Sequence, residues 1–162
     1  MSVLPSAFSH VGVTVPDLDA ATAWYREVLG YSVLAGPFEV LEDDSPLGRA
    51  AAGIYGVGFE RFRFTHLAGV DGGGLELFQF DSPRSERRAD NFEFWMGGIY
   101  HFGLTAPDIA AVAARIAESG GRQRSEIVTI DPQRGFQVVY CEDPWGTVIE
   151  LCSHLYPYMW AG

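Results

Sequence analysis

The stretch His10-Val-Gly-Val-Thr-Val-Pro-Asp17 recurs 91 residues further along the chain as His101-Phe-Gly-Leu-Thr-Ala-Pro-Asp108. Five of the eight positions are identical, and the other three are apolar in both copies. The side chains alternate with a period of two, which is typical of a β-strand. We expect each strand to end at its proline, which cannot donate a backbone hydrogen bond, and the following aspartate to cap a helix. The chain is therefore predicted to contain two copies of one structural unit.

Both copies continue with a helix and then with further strands. Apolar residues recur with helical spacing after each aspartate, at Ala21, Trp24, Tyr25 and Val28 and at Ile109, Val112, Ala113 and Ile116. Gly30 and the pair Gly120-Gly121 supply the left-handed conformation that ends a helix. Further strands are predicted at Tyr31–Leu34, Gly58–Thr65 and Leu75–Phe80 in the first copy and at Ser125–Ile130, Phe136–Cys141 and Thr147–Leu151 in the second. We therefore predict an α+β fold of two βαβββ modules, residues 1–81 and 98–162, joined by a linker at 82–97.

The first copy is longer than the second. His10 and Glu76 are 66 residues apart, whereas His101 and Glu150 are 49 residues apart. The additional residues lie around Pro37–Tyr55, where we predict a loop or a short helix at the edge of the sheet.

Composition excludes several classes of function. The 162 residues are 48% hydrophobic and 20% charged, which suits one domain or two small halves that share a core. A formal net charge of −10 argues against binding to nucleic acid or to an anionic membrane surface. The sequence contains no apolar run of about 18 residues, and we expect no signal peptide. With only two cysteines, a reducing cytoplasm is the expected location.

Four residues at equivalent positions of the two modules suggest a metal site. His10 and His101 begin the first strand of each module, and Glu76 and Glu150 lie in the last strand. If the modules pack about a pseudo-twofold axis, these four side chains meet. Two imidazoles and two carboxylates suit one divalent Zn, Ni, Co, Mn or Fe ion and leave two octahedral positions for water or substrate.

The remaining candidate residues have ordinary structural interpretations. Cys141 and Cys152 are possible nucleophiles, but small buried side chains within strands explain them better. His66 and His154 have no histidine counterpart in the other copy, so we interpret both as ordinary polar residues. Glu76 and Glu150 are flanked by apolar residues on both sides, and a carboxylate that is buried without a partner is unfavourable.

The sequence resembles the vicinal oxygen chelate superfamily, which includes glyoxalases, bleomycin resistance proteins and extradiol dioxygenases. The resemblance rests on five segments distributed over almost the whole chain: His10–Asp19, Trp24–Tyr31, Leu75–Leu77, His101–Leu104 and Asp143–Leu151. It implies an open, cup-shaped mixed β-barrel with helices outside, a bound metal ion and a homodimer. The ligand set His, Glu, His, Glu is similar to that of glyoxalase I-like members. Methylmalonyl-CoA epimerase-like members are also similar but usually carry Gln at the position of Glu76.

This resemblance implies a metal-dependent lyase, isomerase or epimerase that abstracts a proton next to a carbonyl of a small molecule. It makes Glu150 the first candidate for the catalytic base and Glu76 the second. Two alternatives are a metal-free drug-binding protein and a ring-cleaving Fe(II) dioxygenase. The four-ligand set argues against both, because drug-binding members generally lack it and dioxygenases carry His at the position of Glu76.

The substrate is not specified by the sequence. The cup is expected to be lined by Phe78 and Phe80 and by Tyr140, Trp95 or Trp160 from nearby segments. These aromatic side chains favour an apolar or ring-bearing ligand, but an ordinary hydrophobic core explains them equally well. Arg84, Arg87 and Arg88 are candidates for binding an anionic group, although a solvated linker explains them better.

Overall fold

The computed structural model describes residues 5–161, and the chain divides into two compact units. The first unit ends at Glu86 and the second begins at Arg87. The described residues form nine strands and four helices. No helix among them is long and apolar enough to span a membrane.

The first unit begins with strand β1 (His10–Thr14), followed by helix α1 (Leu18–Leu29) and strand β2 (Ser32–Leu41). Helix α2 (Pro46–Tyr55) comes next, and strands β3 (Arg61–Ala68) and β4 (Gly74–Phe80) complete the unit. Asp17 caps α1 by accepting a hydrogen bond from the backbone N–H of Ala20 at 3.0 Å. Gly30 ends this helix in the left-handed conformation, with φ of 75°. The first unit is therefore a βαβββ module with one additional helix.

The second unit repeats this order. It contains β5 (Phe102–Thr105), α3 (Ile109–Glu118), β6 (Arg122–Gln123), β7 (Val128–Asp131), β8 (Phe136–Glu142) and β9 (Val148–Cys152). A short helix, α4 (Tyr156–Trp160), follows the last strand. Asp108 caps α3 through the N–H of Ala111 at 2.9 Å, as Asp17 caps α1.

The two sheets have the same topology. The strand orders are β1-β4-β3-β2 and β5-β9-β8-β6, and β7 also pairs with β8. In each sheet the first strand is parallel to the last, and the last is antiparallel to the strand before it. The predicted α+β class with two βαβββ modules is confirmed.

One face of each sheet packs against a helix. In the first unit, Leu75 and Leu77 are buried on the face that contacts α1, together with the helix residues Leu18, Ala21, Trp24, Tyr25 and Val28. In the second unit, Ile149 and Leu151 lie on the corresponding face, and Ile109, Ala113 and Ile116 of α3 are buried. Because strand side chains alternate, Glu76 and Glu150 lie on the opposite face.

Two predicted segments differ from the structure. Strand β2 continues to Leu41, so the additional segment of the first unit begins later than Pro37 and contains a helix at Pro46–Tyr55. Ser45 caps this helix and Pro46 occupies its first turn. Serine followed by proline is a typical start of a helix, but the segment is also rich in glycine and acidic residues, which are common in loops. The strand predicted at Ser125–Ile130 is Val128–Asp131, with a second short strand at Arg122–Gln123.

Candidate functional site

His10 and Glu76 lie side by side in the first unit. His10 begins β1 and Glu76 lies in β4, and the parallel pairing of these strands brings their side chains to the same face. His10 Nε2 is 3.3 Å from Glu76 Oε2. The other ring nitrogen of His10, Nδ1, is 3.1 Å from the hydroxyl of Ser9. A hydrogen bond to Ser9 orients the ring so that Nε2 faces the carboxylate of Glu76.

His101 and Glu150 form the same pair in the second unit. His101 directly precedes β5, Glu150 lies in β9, and His101 Nε2 is again 3.3 Å from Glu150 Oε2. Nδ1 of His101 is buried and has no hydrogen-bond partner among the described residues. Both units therefore present one imidazole and one carboxylate through the same atoms.

A further polar side chain lies against each glutamate, and the sequence reasoning missed both contacts. In the first unit, His66 Nδ1 is 3.0 Å from Glu76 Oε1. In the second unit, the Tyr140 hydroxyl donates a hydrogen bond to the carboxylate of Glu150. Burial, followed by this hydrogen bond and the charge of Glu150, raises the pKa of Tyr140 above its ordinary value. His66, interpreted from the sequence as an ordinary polar residue, therefore lies beside one of the predicted metal ligands.

His154, the other histidine without a counterpart, does not contact either glutamate in the described contacts. Its ring packs against Phe136 at 4.8 Å between centroids, and its Nδ1 is 2.8 Å from the hydroxyl of Ser153.

The face of the first sheet that carries Glu76 is rich in aromatic side chains. Phe78 and Phe80 follow Glu76 on this face, and Phe64 stacks on Phe78 at 5.8 Å between ring centroids. A cavity of about 400 Å³ lies at the far end of this face, between Thr14, Tyr55, Phe59, Phe80 and Arg84. Burial and the charge of Glu76 raise the pKa of Tyr55. An apolar wall of this kind suits the carbon skeleton of a small molecule.

The arginines of the predicted linker have different surroundings. Arg84 lines the cavity of the first unit. Arg87 instead binds the buried carboxylate of Glu142 at 2.8 Å, which supports a structural role. Arg122 and Arg124 bind the same carboxylate.

The paired side chains fit a divalent metal ion. Nitrogen and oxygen ligands lie at about 2.0–2.2 Å from such an ion, so two neighbouring ligand atoms are roughly 3 Å apart. The separation of 3.3 Å between Nε2 and Oε2 in each unit is close to this value. Among residues 5–161, no group of three or more His, Cys, Asp or Glu side chains is placed to hold a metal ion. Each unit offers one closely spaced pair of the predicted ligands, His10 with Glu76 and His101 with Glu150.

Known proteins show the same fold and a related sequence. The chain is 30% identical over 158 residues to a 2-epi-5-epi-valiolone epimerase of an Actinomyces species, covering 91% of this chain and 79% of that protein. A solved glyoxalase family protein from Bacillus cereus has a TM-score of 0.74 at 20% identity and covers 94% of this chain and 95% of its own. Glyoxalase I from Zea mays has a TM-score of 0.60 at 19% identity, covering 91% of this chain and 44% of that one.

The match to a family model extends from residue 7 to residue 151 and so includes all four predicted ligands. With the repeated βαβββ topology and the paired His and Glu side chains, it shows that the chain belongs to the Glyoxalase/Bleomycin resistance protein/Dioxygenase superfamily.

Proposed function

We propose that this protein is a metal-dependent epimerase that removes and returns a proton on a carbon next to a carbonyl group. One observation carries the proposal: both units place an imidazole Nε2 and a carboxylate Oε2 3.3 Å apart at equivalent strand positions. The relative at 30% identity supports the choice of epimerase, since it acts on 2-epi-5-epi-valiolone, which the ending of that name identifies as a ketone. We therefore propose a small ketone as the substrate class.

We propose that His10, Glu76, His101 and Glu150 together hold one divalent ion, of Zn, Ni, Co, Mn or Fe. A bound ion of this kind would act as a Lewis acid and stabilise the negative charge that develops on the carbonyl oxygen. Two imidazoles and two carboxylates leave room for substrate oxygens in octahedral coordination. The neighbours of each glutamate in its strand, Leu75 and Leu77 or Ile149 and Leu151, are buried.

Glu150 is the proposed base that takes the proton from carbon. A carboxylate is a suitable general base when it is held beside the substrate and screened from water. Inversion at carbon requires that a proton return to the opposite face, and Glu76, in its protonated form, would be the carboxyl group that delivers it and becomes a carboxylate. The two glutamates thus have complementary roles in this proposal, one as acceptor and one as donor.

The experiment is solvent deuterium exchange into 2-epi-5-epi-valiolone and a panel of small 2-hydroxy ketones, with and without metal. We expect metal-dependent exchange at the carbon next to the carbonyl. Glu150→Gln keeps the size of the side chain but removes its basicity, so at saturating metal it should lose exchange by about 10²–10⁴-fold. Glu76→Gln is the matched variant for the second carboxylate. Exchange at wild-type rates in both variants would exclude a carboxylate base.

We also propose that the protein is a homodimer. Edge strands and exposed apolar side chains are usually covered by a partner. In the first unit, β2 is one of the two edge strands, and its Leu34 is 67% exposed. Light scattering at micromolar concentrations should give twice the mass of the 17.8 kDa chain. A mass that stays at one chain up to high micromolar concentration would contradict this proposal.

A further inference from the structure

His66 and Tyr140 occupy equivalent positions in the two units, although their side chains are chemically different. His66 lies in β3 directly opposite Glu76 in β4, and Tyr140 lies in β8 directly opposite Glu150 in β9. Both residue pairs are separated by ten positions along the chain, within an antiparallel hairpin. The two hairpins thus repeat an arrangement in which a polar ring faces a glutamate.

The two oxygens of Glu76 have different neighbours. Oε1 is 3.0 Å from His66 Nδ1, whereas Oε2 is 3.3 Å from His10 Nε2. Glu150 has the corresponding neighbours, because it accepts a hydrogen bond from Tyr140 while its Oε2 lies 3.3 Å from His101 Nε2. Each carboxylate is therefore bordered by one ring from its own hairpin and by one imidazole from the first strand of its unit.

Surrounding aromatic rings restrict the movement of both residues. The ring of His66 packs edge-on against Phe64 at 5.2 Å and against Phe38 at 6.3 Å between centroids. The ring of Tyr140 stacks on Tyr100 at 5.9 Å and packs against Phe92 at the same distance. These packing contacts favour the ring orientations in which the donor atoms of His66 and Tyr140 face the glutamates.

We infer that His66 and Tyr140 are positioning residues that orient Glu76 and Glu150 for metal binding. His66 donates from Nδ1 to Oε1 of Glu76 and leaves Oε2 beside His10, and Tyr140 holds Glu150 in the same way beside His101. This inference rests on the proposed function, because it assumes that the glutamates bind a metal ion. Hydrogen-bond partners of metal ligands typically contribute about 10–100-fold to metal affinity.

The test compares variants that keep the ring but lose the donor. His66→Phe and Tyr140→Phe preserve an aromatic side chain, so packing is largely maintained. His66→Asn instead loses the ring but has an amide N–H close to the position of Nδ1. The dissociation constant of Zn²⁺ or Co²⁺ is measured by competition with a chromophoric chelator, and folding is checked by thermal unfolding without metal.

We expect each phenylalanine variant to bind metal about 10–100-fold more weakly than the wild type, while His66→Asn recovers most of the affinity. In a Glu76→Gln background, His66→Phe should cause a much smaller further loss, because the residue acts through that carboxylate. Wild-type affinity in both phenylalanine variants would overturn this inference alone. A wild-type protein that binds no metal would overturn the proposed function and this inference with it.

Discussion

Glu142 is a fully buried carboxylate that binds three arginines. Its side chain is 1% exposed, and it accepts hydrogen bonds from Arg87, Arg122 and Arg124. Burial of a carboxylate is tolerated only when its charge is neutralised and its oxygens are hydrogen-bonded. Arg87 begins the second unit, Arg122 and Arg124 follow α3, and Glu142 ends β8. The Glu142 carboxylate therefore connects three segments of the second unit.

Replacing this carboxylate should destabilise the protein strongly. Breaking a buried ion pair costs about 3–5 kcal/mol, and the half-exposed Arg87 and Arg122 reduce this to roughly 2–3 kcal/mol for Glu142→Gln. The free energy of unfolding is measured from urea denaturation. Asp19→Asn breaks the exposed pair with Arg63 and serves as the control, with an expected loss below about 1 kcal/mol. Equal losses in the two variants would contradict this account of Glu142.

The cysteines should be unreactive in the folded protein. Cys141 is fully buried and Cys152 is 6% exposed, and burial raises the pKa of Cys141 to about 11. Since a free cysteine has a pKa of about 8.5, the thiolate fraction of Cys141 at pH 8 is lower by more than about 100-fold. Iodoacetamide labelling followed by mass spectrometry should show slow modification in buffer and rapid modification in urea. Rapid labelling of the folded protein would argue against the buried positions.

At the scale of single residues, the sequence predicted the His and Glu residues that form each pair but not the side chains that contact the glutamates. The repeat identified His10, Glu76, His101 and Glu150 because identical residue types recur at equivalent positions. The repeat did not show that His66 and Tyr140 occupy equivalent positions, because the two residues are of different types. Their equivalence depends on strand register, which is visible only once β3 is paired with β4 and β8 with β9.

Among the secondary-structure elements, the close approach of β1 and β4 depends on Gly74. This residue is the register partner of His10, and a Cβ atom on it would lie 2.8 Å from the Cβ of His10 and 3.2 Å from the carbonyl oxygen of Ser9. Any side chain at this position therefore pushes His10 away from Glu76.

Gly74→Ala should lower the free energy of unfolding by about 1–3 kcal/mol, the usual effect of overpacking. It should also weaken Zn²⁺ binding, because His10 has to move. Gly12→Ala is the control, since a Cβ atom there meets only the ring of Phe78, at an ordinary distance of 3.5 Å. Urea denaturation and chelator competition measure the two effects. Indistinguishable results for Gly74→Ala and Gly12→Ala would show that the strand spacing adapts freely.

The elements with strong local signals were predicted well, and those that depend on tertiary pairing were not. The capping aspartates and the apolar periodicity predicted helices α1 and α3, and the predicted apolar positions lie within both observed helices. These signals depend only on a few neighbouring residues. The end of β2 at Leu41 was missed, since pairing with β3 carries this strand beyond Gly36 and Pro37. The same limit applies to β6 and β7, which are separate short strands because each pairs with a different part of β8.

At the scale of the whole molecule, metal binding should raise the free energy of unfolding if His10, Glu76, His101 and Glu150 hold one ion as proposed. A ligand present at 100 times its dissociation constant stabilises the native state by about 2.7 kcal/mol. For a protein of this size, that corresponds to a rise in melting temperature of roughly 5–10 °C. The double variant His10→Ala with Glu150→Ala removes one ligand from each unit and should show no such rise.

This comparison is made by thermal unfolding with Zn²⁺ or Co²⁺ and after treatment with a chelator. His154→Gln is the matched control, because it also removes an imidazole but lies against Phe136 rather than beside a glutamate. The control should keep the full rise in melting temperature. An undiminished rise in the double variant would mean that the metal binds elsewhere.

Hydrogen bonds between Glu42 and the residues Gly58 and Glu60 join the two ends of the segment that contains α2. The backbone N–H of Glu42 donates to the carbonyl of Glu60 at 2.9 Å, and the carboxylate of Glu42 accepts from the N–H groups of Gly58 and Glu60. The paired residues Leu41 and Arg61 come immediately outside it. The described residues of the second unit, up to residue 161, contain no counterpart of this segment. The offset between equivalent residues falls from 91 at the first strands to 74 at the last. We expect that replacing the segment between Leu41 and Arg61 would change the wall of the neighbouring cavity, which Tyr55 and Phe59 help to form, while the paired strands keep their register.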